Sequence, residues 1–202
     1  MLYFNSYDKL FQQILTKLSS IKKEVILIGG CSRTGKSYLS ETIKTSFIQR
    51  RITCKIVNID AWIVSLEKRK PGATVMERFD CDAIVKDIKA LLSGKTVYPP
   101  QYDYISRKRI QEKGQPLQIV DTDIIIIEGV IALSIKALLE LAHLKIYLSI
   151  PDETRIARLI DFYVNSKSVN IEKAKHIIFT RENEEVLFVK KSKASADIVY
   201  EQ

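Results

Sequence analysis

One short segment constrains the fold more than any other part of the chain. Residues 23–38 read KEVILIGGCSRTGKSY, in which Gly30, Gly35, Lys36 and Ser37 fit the pattern G-x-x-x-x-G-K-[ST]. An apolar run precedes the glycines, and apolar residues at helical spacing follow them. This order predicts a buried strand, a tight phosphate-binding loop and the start of a helix.

Such a loop binds phosphate because glycines let backbone N–H groups converge on its oxygens, and a helix N-terminus adds partial positive charge. Lys36 can reach the β- and γ-phosphates, and the Ser37 hydroxyl can ligate Mg²⁺. We therefore expect a phosphate-bearing nucleotide and Mg²⁺ at this loop. The residues expected at the nucleotide are Gly30, Cys31, Ser32, Arg33, Thr34, Gly35, Lys36, Ser37 and Tyr38. Two interpretations of Cys31 stay open, a reactive thiol and a small loop residue.

Composition restricts the class of protein. The chain has 202 residues, 46% of them hydrophobic and 28% charged, as expected for one globular domain spanning 1–202. No apolar run approaches the ~18 residues of a membrane span, and the first residues do not read as a signal peptide. The three cysteines form no C-x-x-C pair, which favours a reducing compartment. We expect a cytoplasmic protein with no membrane partner.

The net charge of +8 suits either nucleic acid or anionic small molecules. Basic residues are spread through the chain, and no arginine-rich tail, zinc finger or RNA-binding aromatic motif appears. Nucleic acid is therefore not expected as the principal partner. A homo-oligomer stays open.

Apolar runs alternate with helical patterns along the whole chain. We predict strands at 24–29, 53–60, 123–128, 144–150 and 196–200, and helices at 7–20, 36–50, 83–94, 151–165 and 170–192. This alternation predicts a three-layer α/β fold with a mainly parallel sheet. Residues 65–78 are expected to form a loop, and 97–120 a hairpin excursion around a Lys113-Gly114 turn.

Two acids follow predicted strands at the edge where ligands bind in such sheets. Glu128 comes after four isoleucines, where a carboxylate is costly unless it is paired or near a metal, so it is a candidate Mg²⁺ ligand. Asp60 is a candidate general base for a substrate hydroxyl. The alternative for each is a helix cap or a surface acid.

The order of several short motifs resembles the uridine kinase and phosphoribulokinase family of P-loop kinases. The motifs are GGCSRTGKS, NIDAW, RFDCDAI, PPQYDYISRKR, IIIIEGV, ETRIARLID and ADIVY, and they extend over about residues 24–200. The resemblance implies transfer of the γ-phosphate of ATP to a hydroxyl of a small metabolite, most like uridine or cytidine. Sugar phosphates and vitamin precursors are alternative acceptors within the family, and a nucleotide-binding switch with little turnover is a further alternative.

The resemblance also implies roles for individual residues. Lys36 would hold the triphosphate, Ser37 and Glu128 would serve Mg²⁺, and Asp60 would be the base. The implied substrate-side residues are Phe79, Asp80, Tyr102 and Arg109, with Arg107 added as an acceptor-side residue. Arg155 and Arg158 match the start of a lid helix, in a lid region of about 152–170, and would neutralise charge on the transferred group.

The chain departs from uridine kinases where they recognise the base. Ile63 stands at a tyrosine position, Arg107 replaces a hairpin histidine, and the lid segment 161–170 carries only Lys167 as a cation. Arg107 would suit an anionic acceptor, since arginine makes bidentate contacts to carboxylate or phosphate. The alternative is that Ser106–Arg109 form a charged hairpin edge. Our hypothesis is that uridine is a poor acceptor.

Overall fold

The central sheet has six parallel strands in the order β1-β8-β7-β2-β6-β3. The computed structural model describes residues 1–18 and 23–202. The strands of the sheet are β1 (Leu2–Phe4), β2 (Glu24–Gly29), β3 (Cys54–Asn58), β6 (Ile124–Glu128), β7 (Leu144–Ser149) and β8 (Ile198–Glu201). The hairpin strands β4 (Gln101–Asp103) and β5 (Lys108–Gln111) pair with each other in antiparallel fashion.

Helices connect the strands. They are α1 (Tyr7–Lys17), α2 (Lys36–Ile48), α3 (Cys81–Leu92), α4 (Lys136–Leu141), α5 (Asp152–Asp161), α6 (Ile171–Arg181) and α7 (Leu187–Lys191). Short 3₁₀ turns cover Ile59–Trp62, Leu66–Lys68, Met76–Arg78, Ala132–Ser134 and Ser192–Ser195, and π-helical turns cover Phe162–Ser166 and Glu182–Val186. Among the described helices, none is long and apolar enough to span a lipid bilayer.

Side-chain alternation along β2 and β6 creates the layers. Ile26 and Ile126 pack with α1 and α2 on one face, whereas Leu27 and Ile127 pack with α3, α4 and α7 on the other. Both faces of these strands are buried, which is why the sequence shows continuous apolar runs rather than alternation. The predicted three-layer α/β fold is confirmed. Residues 19 and 20 of the predicted first helix lie outside the described residues.

Two predictions about local structure were wrong. The hairpin turn lies at 104–107, because the Asp103 carboxylate accepts the backbone N–H groups of Ile105 at 3.1 Å and Ser106 at 2.8 Å. The Gly114 N–H instead donates to the Pro99 carbonyl at 2.7 Å and closes a separate loop. The strand predicted at 53–60 is β3, and it ends at Asn58. The Asn58 side chain accepts the Asp60 N–H there and starts a 3₁₀ turn.

Candidate active site

The phosphate loop joins β2 to α2, as its sequence predicts. Gly35 precedes α2 with φ at +101°, a backbone conformation that favours glycine, and Lys36 is the first helical residue. The Cys31 carbonyl accepts hydrogen bonds from the Lys36 ammonium and the Thr34 hydroxyl, both at 2.9 Å. The loop is thereby held in a compact turn at the N-terminus of a thirteen-residue helix, the arrangement that binds phosphate.

Glu128 stands beside this loop because β6 pairs with β2 and brings Ile28 opposite Glu128. The Ser37 hydroxyl donates to Glu128 Oε1 at 2.8 Å. Burial raises the pKa of the Glu128 carboxyl, while the charge of Lys36 and the Ser37 hydrogen bond act in the opposite direction. A hydroxyl and a buried carboxylate at a phosphate loop fit Mg²⁺, which binds one or two protein oxygens together with phosphate oxygens and water. In the part of the chain that the structure describes, no cluster of three or more acidic, histidine or cysteine side chains offers a larger cage.

Asp60 lies on the 3₁₀ turn after β3 and faces the same space. Its Oδ1 accepts the Val130 N–H at 3.2 Å, so the chain after β6 supports it. Burial raises the pKa of the Asp60 carboxyl, and the charge of Lys36 is the largest opposing effect. Gly129 permits this approach, since a Cβ there would lie 2.4 Å from Ile59 Cγ1 and 3.0 Å from Asp60 Oδ1.

The loop, the two acids, the hairpin and the segment after α5 enclose a cleft of about 900 Å³. The residues that line it are Ser32, Arg33, Gly35, Lys36, Ser37, Tyr38, Asn58, Asp60, Ile63, Arg69, Arg78, Phe79, Tyr102, Tyr104, Arg107, Glu128, Val130, Ala157, Arg158, Leu159, Asp161, Phe162, Tyr163, Lys167 and Glu185. A cleft of this size with convergent polar groups is of the kind that binds small molecules.

The cleft contains most of the side chains that sequence reasoning selected. Of the loop residues, Gly30, Cys31 and Thr34 lie behind its surface. The exposed Arg158 reaches the loop, with its guanidinium 3.4 Å from the carbonyl oxygens of Arg33 and Thr34.

Arg109 and Asp80 do not line the cleft. The Arg109 guanidinium donates to the Trp62 carbonyl at 2.8 Å and to the Ile63 carbonyl at 2.9 Å, and it lies 3.6 Å from Asp80. Asp80 caps α3 by accepting the Ala83 N–H at 3.2 Å. The two residues implied at the substrate therefore attach the hairpin to the 3₁₀ turn that carries Asp60.

Arg155 is also outside the cleft. Its side chain is 2% exposed, and it pairs with Glu182 at 2.5 Å and with Asp152 at 3.4 Å. These ion pairs join α5 to the π-helical turn after α6. The charge of Arg155 still acts on the phosphate loop, where it opposes the effect of burial, which raises the pKa of the Cys31 thiol.

Several cleft residues were missed at the sequence level, among them Arg69, Arg78, Tyr104 and Glu185. Arg69 and Arg78 stand in the polar segment 65–78, and no spacing or motif there separates cleft residues from solvated ones. Tyr104 was signalled only by its position two residues after Tyr102. These residues are brought to the cleft by the folded hairpin and by the turn after α6, which the sequence pattern does not predict.

Residues 25–202 match the profile of the phosphoribulokinase/uridine kinase family. The chain belongs to that family. The resemblance seen in the motifs is thereby confirmed.

Individual relatives agree with the assignment. A uridine kinase of Streptococcus equi subsp. zooepidemicus (strain MGCS10565) is 30% identical over 190 residues, covering 89% of this chain and 88% of its own. A uridine kinase of Lactococcus lactis subsp. cremoris (strain MG1363) is 30% identical over 146 residues, covering 68% of each chain.

Solved structures show the same fold at lower identity. A protein from Silicibacter sp. TM1040, provisionally named a fructose transport system kinase, superposes with a TM-score of 0.79 at 19% identity, covering 98% of this chain and 100% of its own. A possible uridine kinase from Bacillus stearothermophilus gives 0.65 at 23% identity, with 96% of both chains covered. The chain is thus a P-loop kinase, a phosphotransferase that acts on a hydroxyl group of a small molecule.

Proposed function

We propose that this protein transfers the γ-phosphate of ATP, in a Mg²⁺-dependent reaction, to a hydroxyl group of a small metabolite. One observation carries the proposal: Asp60, Lys36 and the Ser37–Glu128 pair face a single cleft. The position of Asp60 argues against a nucleotide-binding switch, because a switch needs no base beside an acceptor.

Each group has a defined task in this proposal. The loop amides and Lys36 bind the β- and γ-phosphates, and Ser37 and Glu128 would hold Mg²⁺, which would supply positive charge to the phosphates. The acceptor oxygen attacks the γ-phosphorus as its proton passes to Asp60, while the bond to the β,γ-bridging oxygen breaks and ADP leaves. Lys36 and Arg158 stabilise the charge that develops on the transferred group.

Uridine is the acceptor that the names of the relatives favour. Two features of this chain argue against a strong preference for it. Ile63 and Arg107 both line the cleft, and neither offers the tyrosine hydroxyl or imidazole that the family resemblance implies for reading a pyrimidine. A site without the polar groups that hydrogen-bond a pyrimidine has little preference for uridine over other hydroxyl compounds.

ADP release by the purified chain tests the proposal. ATP and Mg²⁺ would be supplied alone and with a panel of nucleosides, sugars and phosphorylated sugars. We expect at least one acceptor to raise the rate about 10-fold or more over the rate without acceptor. ADP release that no hydroxyl compound stimulates would instead support the switch.

A further inference from the structure

Three arginines stand together on the acceptor side of the cleft. Arg69, Arg78 and Arg107 line it, and the same three also line a neighbouring cavity of about 870 Å³ between the 66–75 segment and α6. These three residues therefore stand at the border between the two cavities.

Among the described residues, carboxylates balance the charge of Arg78 but form no ion pair with Arg69 or Arg107. The Arg78 guanidinium lies 2.6 Å from Glu184 and 3.5 Å from Glu185. Arg69 instead donates to the Val64 carbonyl at 2.8 Å and to the Tyr102 hydroxyl at 3.2 Å, neither of which is anionic.

Arg107 is the third member of the cluster. Among the described residues, neither Arg69 nor Arg107 forms an ion pair with a carboxylate. An arginine carries five N–H donors, so three of those on Arg69 remain for a ligand.

The fold keeps these like charges near each other. The Leu66 N–H donates to the Arg107 carbonyl at 3.0 Å, and the Arg109 N–H donates to Ser65 Oγ at 2.8 Å, so the hairpin is fixed against the segment that carries Arg69. Arg107 has φ at +60°, a conformation that is uncommon for a side-chain-bearing residue. Partial burial lowers the pKa of Arg69, and the charge of Arg107 acts in the same direction, against the opposing effect of Tyr102. An anion between the two guanidinium groups would offset both the burial and the repulsion.

Two simpler explanations fit the contacts less well. The first explanation is a charged hairpin edge, whose cations would be exposed to solvent. Lys108 is exposed and lines neither cavity, whereas Arg107 is half-buried and lines both. A role at the ATP phosphates would bring the arginines to the phosphate loop. Arg158 contacts that loop, whereas in the described part of the chain neither Arg69 nor Arg107 donates a hydrogen bond to it.

We infer that the acceptor carries a carboxylate or phosphate group, which Arg69 and Arg107 bind while the reacting hydroxyl faces Asp60. Guanidinium groups suit this task because they contact such anions in a bidentate manner. The inference rests on the proposed function, since it names the acceptor class of the same reaction.

Matched pairs of hydroxyl compounds test the inference. Each pair holds one uncharged compound and its anionic counterpart: glycerol with glycerol 3-phosphate and with glycerate, and ribose with ribose 5-phosphate, with uridine added. The kcat/KM for each would be measured with the wild-type chain and with Arg69→Gln, Arg107→Gln and Lys108→Gln. Lys108→Gln is the matched control, because it removes a neighbouring positive charge that lines neither cavity.

We expect the anionic member of at least one pair to react about 100-fold faster than the uncharged member. Arg69→Gln and Arg107→Gln should each lower that kcat/KM by about 10- to 100-fold, the usual worth of a charge-assisted hydrogen bond, with the ATP KM unchanged. The better of the phosphate and carboxylate pairs identifies the anion. Lys108→Gln should leave all values as in the wild type.

Other results would overturn the inference in distinguishable ways. If uridine or another uncharged compound reacts as well as the anionic ones, the kinase proposal stands and the anionic acceptor is wrong. If the arginine variants raise the ATP KM instead, the cluster serves the nucleotide. If no compound is phosphorylated, the proposed function fails, and titration calorimetry with the same anions decides the inference: absence of binding that depends on Arg69 and Arg107 ends it.

Discussion

Asp60→Asn separates the chemistry of the cleft from its architecture. The asparagine amide keeps an oxygen that can accept the Val130 N–H, now at 3.2 Å from Asp60 Oδ1, and it has nearly the same shape. What it loses is the ability to accept the proton of the acceptor hydroxyl. A positioned general base contributes about 10²- to 10⁴-fold, so we expect kcat to fall by that factor, or about 3–5 kcal/mol in barrier.

The same substitution has an opposite effect on stability. Burial raises the pKa of Asp60 in the folded state above its unfolded value, near 3.9 for a free aspartate. A carboxyl shifted in this direction contributes stability that is fully present below the unfolded pKa and is lost as the pH rises through the folded pKa. Above the folded pKa the ionised carboxylate therefore costs stability. Asp60→Asn removes that cost, and the melting temperature should be equal to or higher than that of the wild type.

The assay combines steady-state ADP release with thermal unfolding across pH. Wild-type activity should fall as the pH falls through the raised pKa of Asp60, and the variant should lack this acidic limb. The exposed Asp8 on α1 provides the control, because Asp8→Asn removes an equal charge far from the cleft. A variant that keeps wild-type kcat, or one that loses kcat only because it unfolds at a lower temperature, would refute the reasoning.

Three further substitutions test separate parts of the site. Lys36→Ala should lower kcat/KM for ATP about 100-fold or more, since it removes the loop cation that follows the γ-phosphate; turnover at the wild-type rate would contradict the loop assignment. Glu128→Gln should raise the Mg²⁺ concentration needed for half-maximal rate at least about 10-fold. The melting temperature should not fall, because burial raises the pKa of the Glu128 carboxyl and the neutral amide avoids the cost of a buried charge. An unchanged Mg²⁺ dependence would show that Glu128 has a structural role. Arg109→Met should remove the hydrogen bonds to the Trp62 and Ile63 carbonyls, which lowers the free energy of unfolding by about 2 kcal/mol and the melting temperature by about 4–8 °C. It should also raise the KM for the acceptor more than the KM for ATP. A wild-type melting curve would show that Arg109 does not attach the hairpin.

The sheet could be predicted from the sequence wherever burial leaves a continuous apolar run. The four isoleucines of β6 and the run in β2 are buried on both faces, and their pattern is therefore unambiguous. The edge strand β1 was missed because three residues carry no periodicity. Its existence depends on parallel pairing with β8, from the opposite end of the chain.

The two halves of the candidate site also differ in how well the sequence predicts them. The nucleotide half could be predicted because one contiguous motif contains the loop, the lysine and the serine. The acceptor half comes from separate segments, and the roles of its arginines depend on how the hairpin packs. Arg69 lines the cleft, whereas the Arg109 guanidinium donates hydrogen bonds to backbone carbonyls. The pairing of Arg155 with Glu182 could not be predicted either, because the two residues are 27 positions apart along the chain.

The stoichiometry of phosphoryl transfer tests the central claim most directly. ³¹P NMR of one reaction, with ATP, Mg²⁺ and the best anionic hydroxyl compound, follows ATP, ADP, inorganic phosphate and any new phosphate ester together. The account predicts one new phosphate monoester for each ADP formed, with little inorganic phosphate. ADP accompanied only by inorganic phosphate would contradict it, because the γ-phosphate would then pass to water and not to an acceptor held beside Asp60.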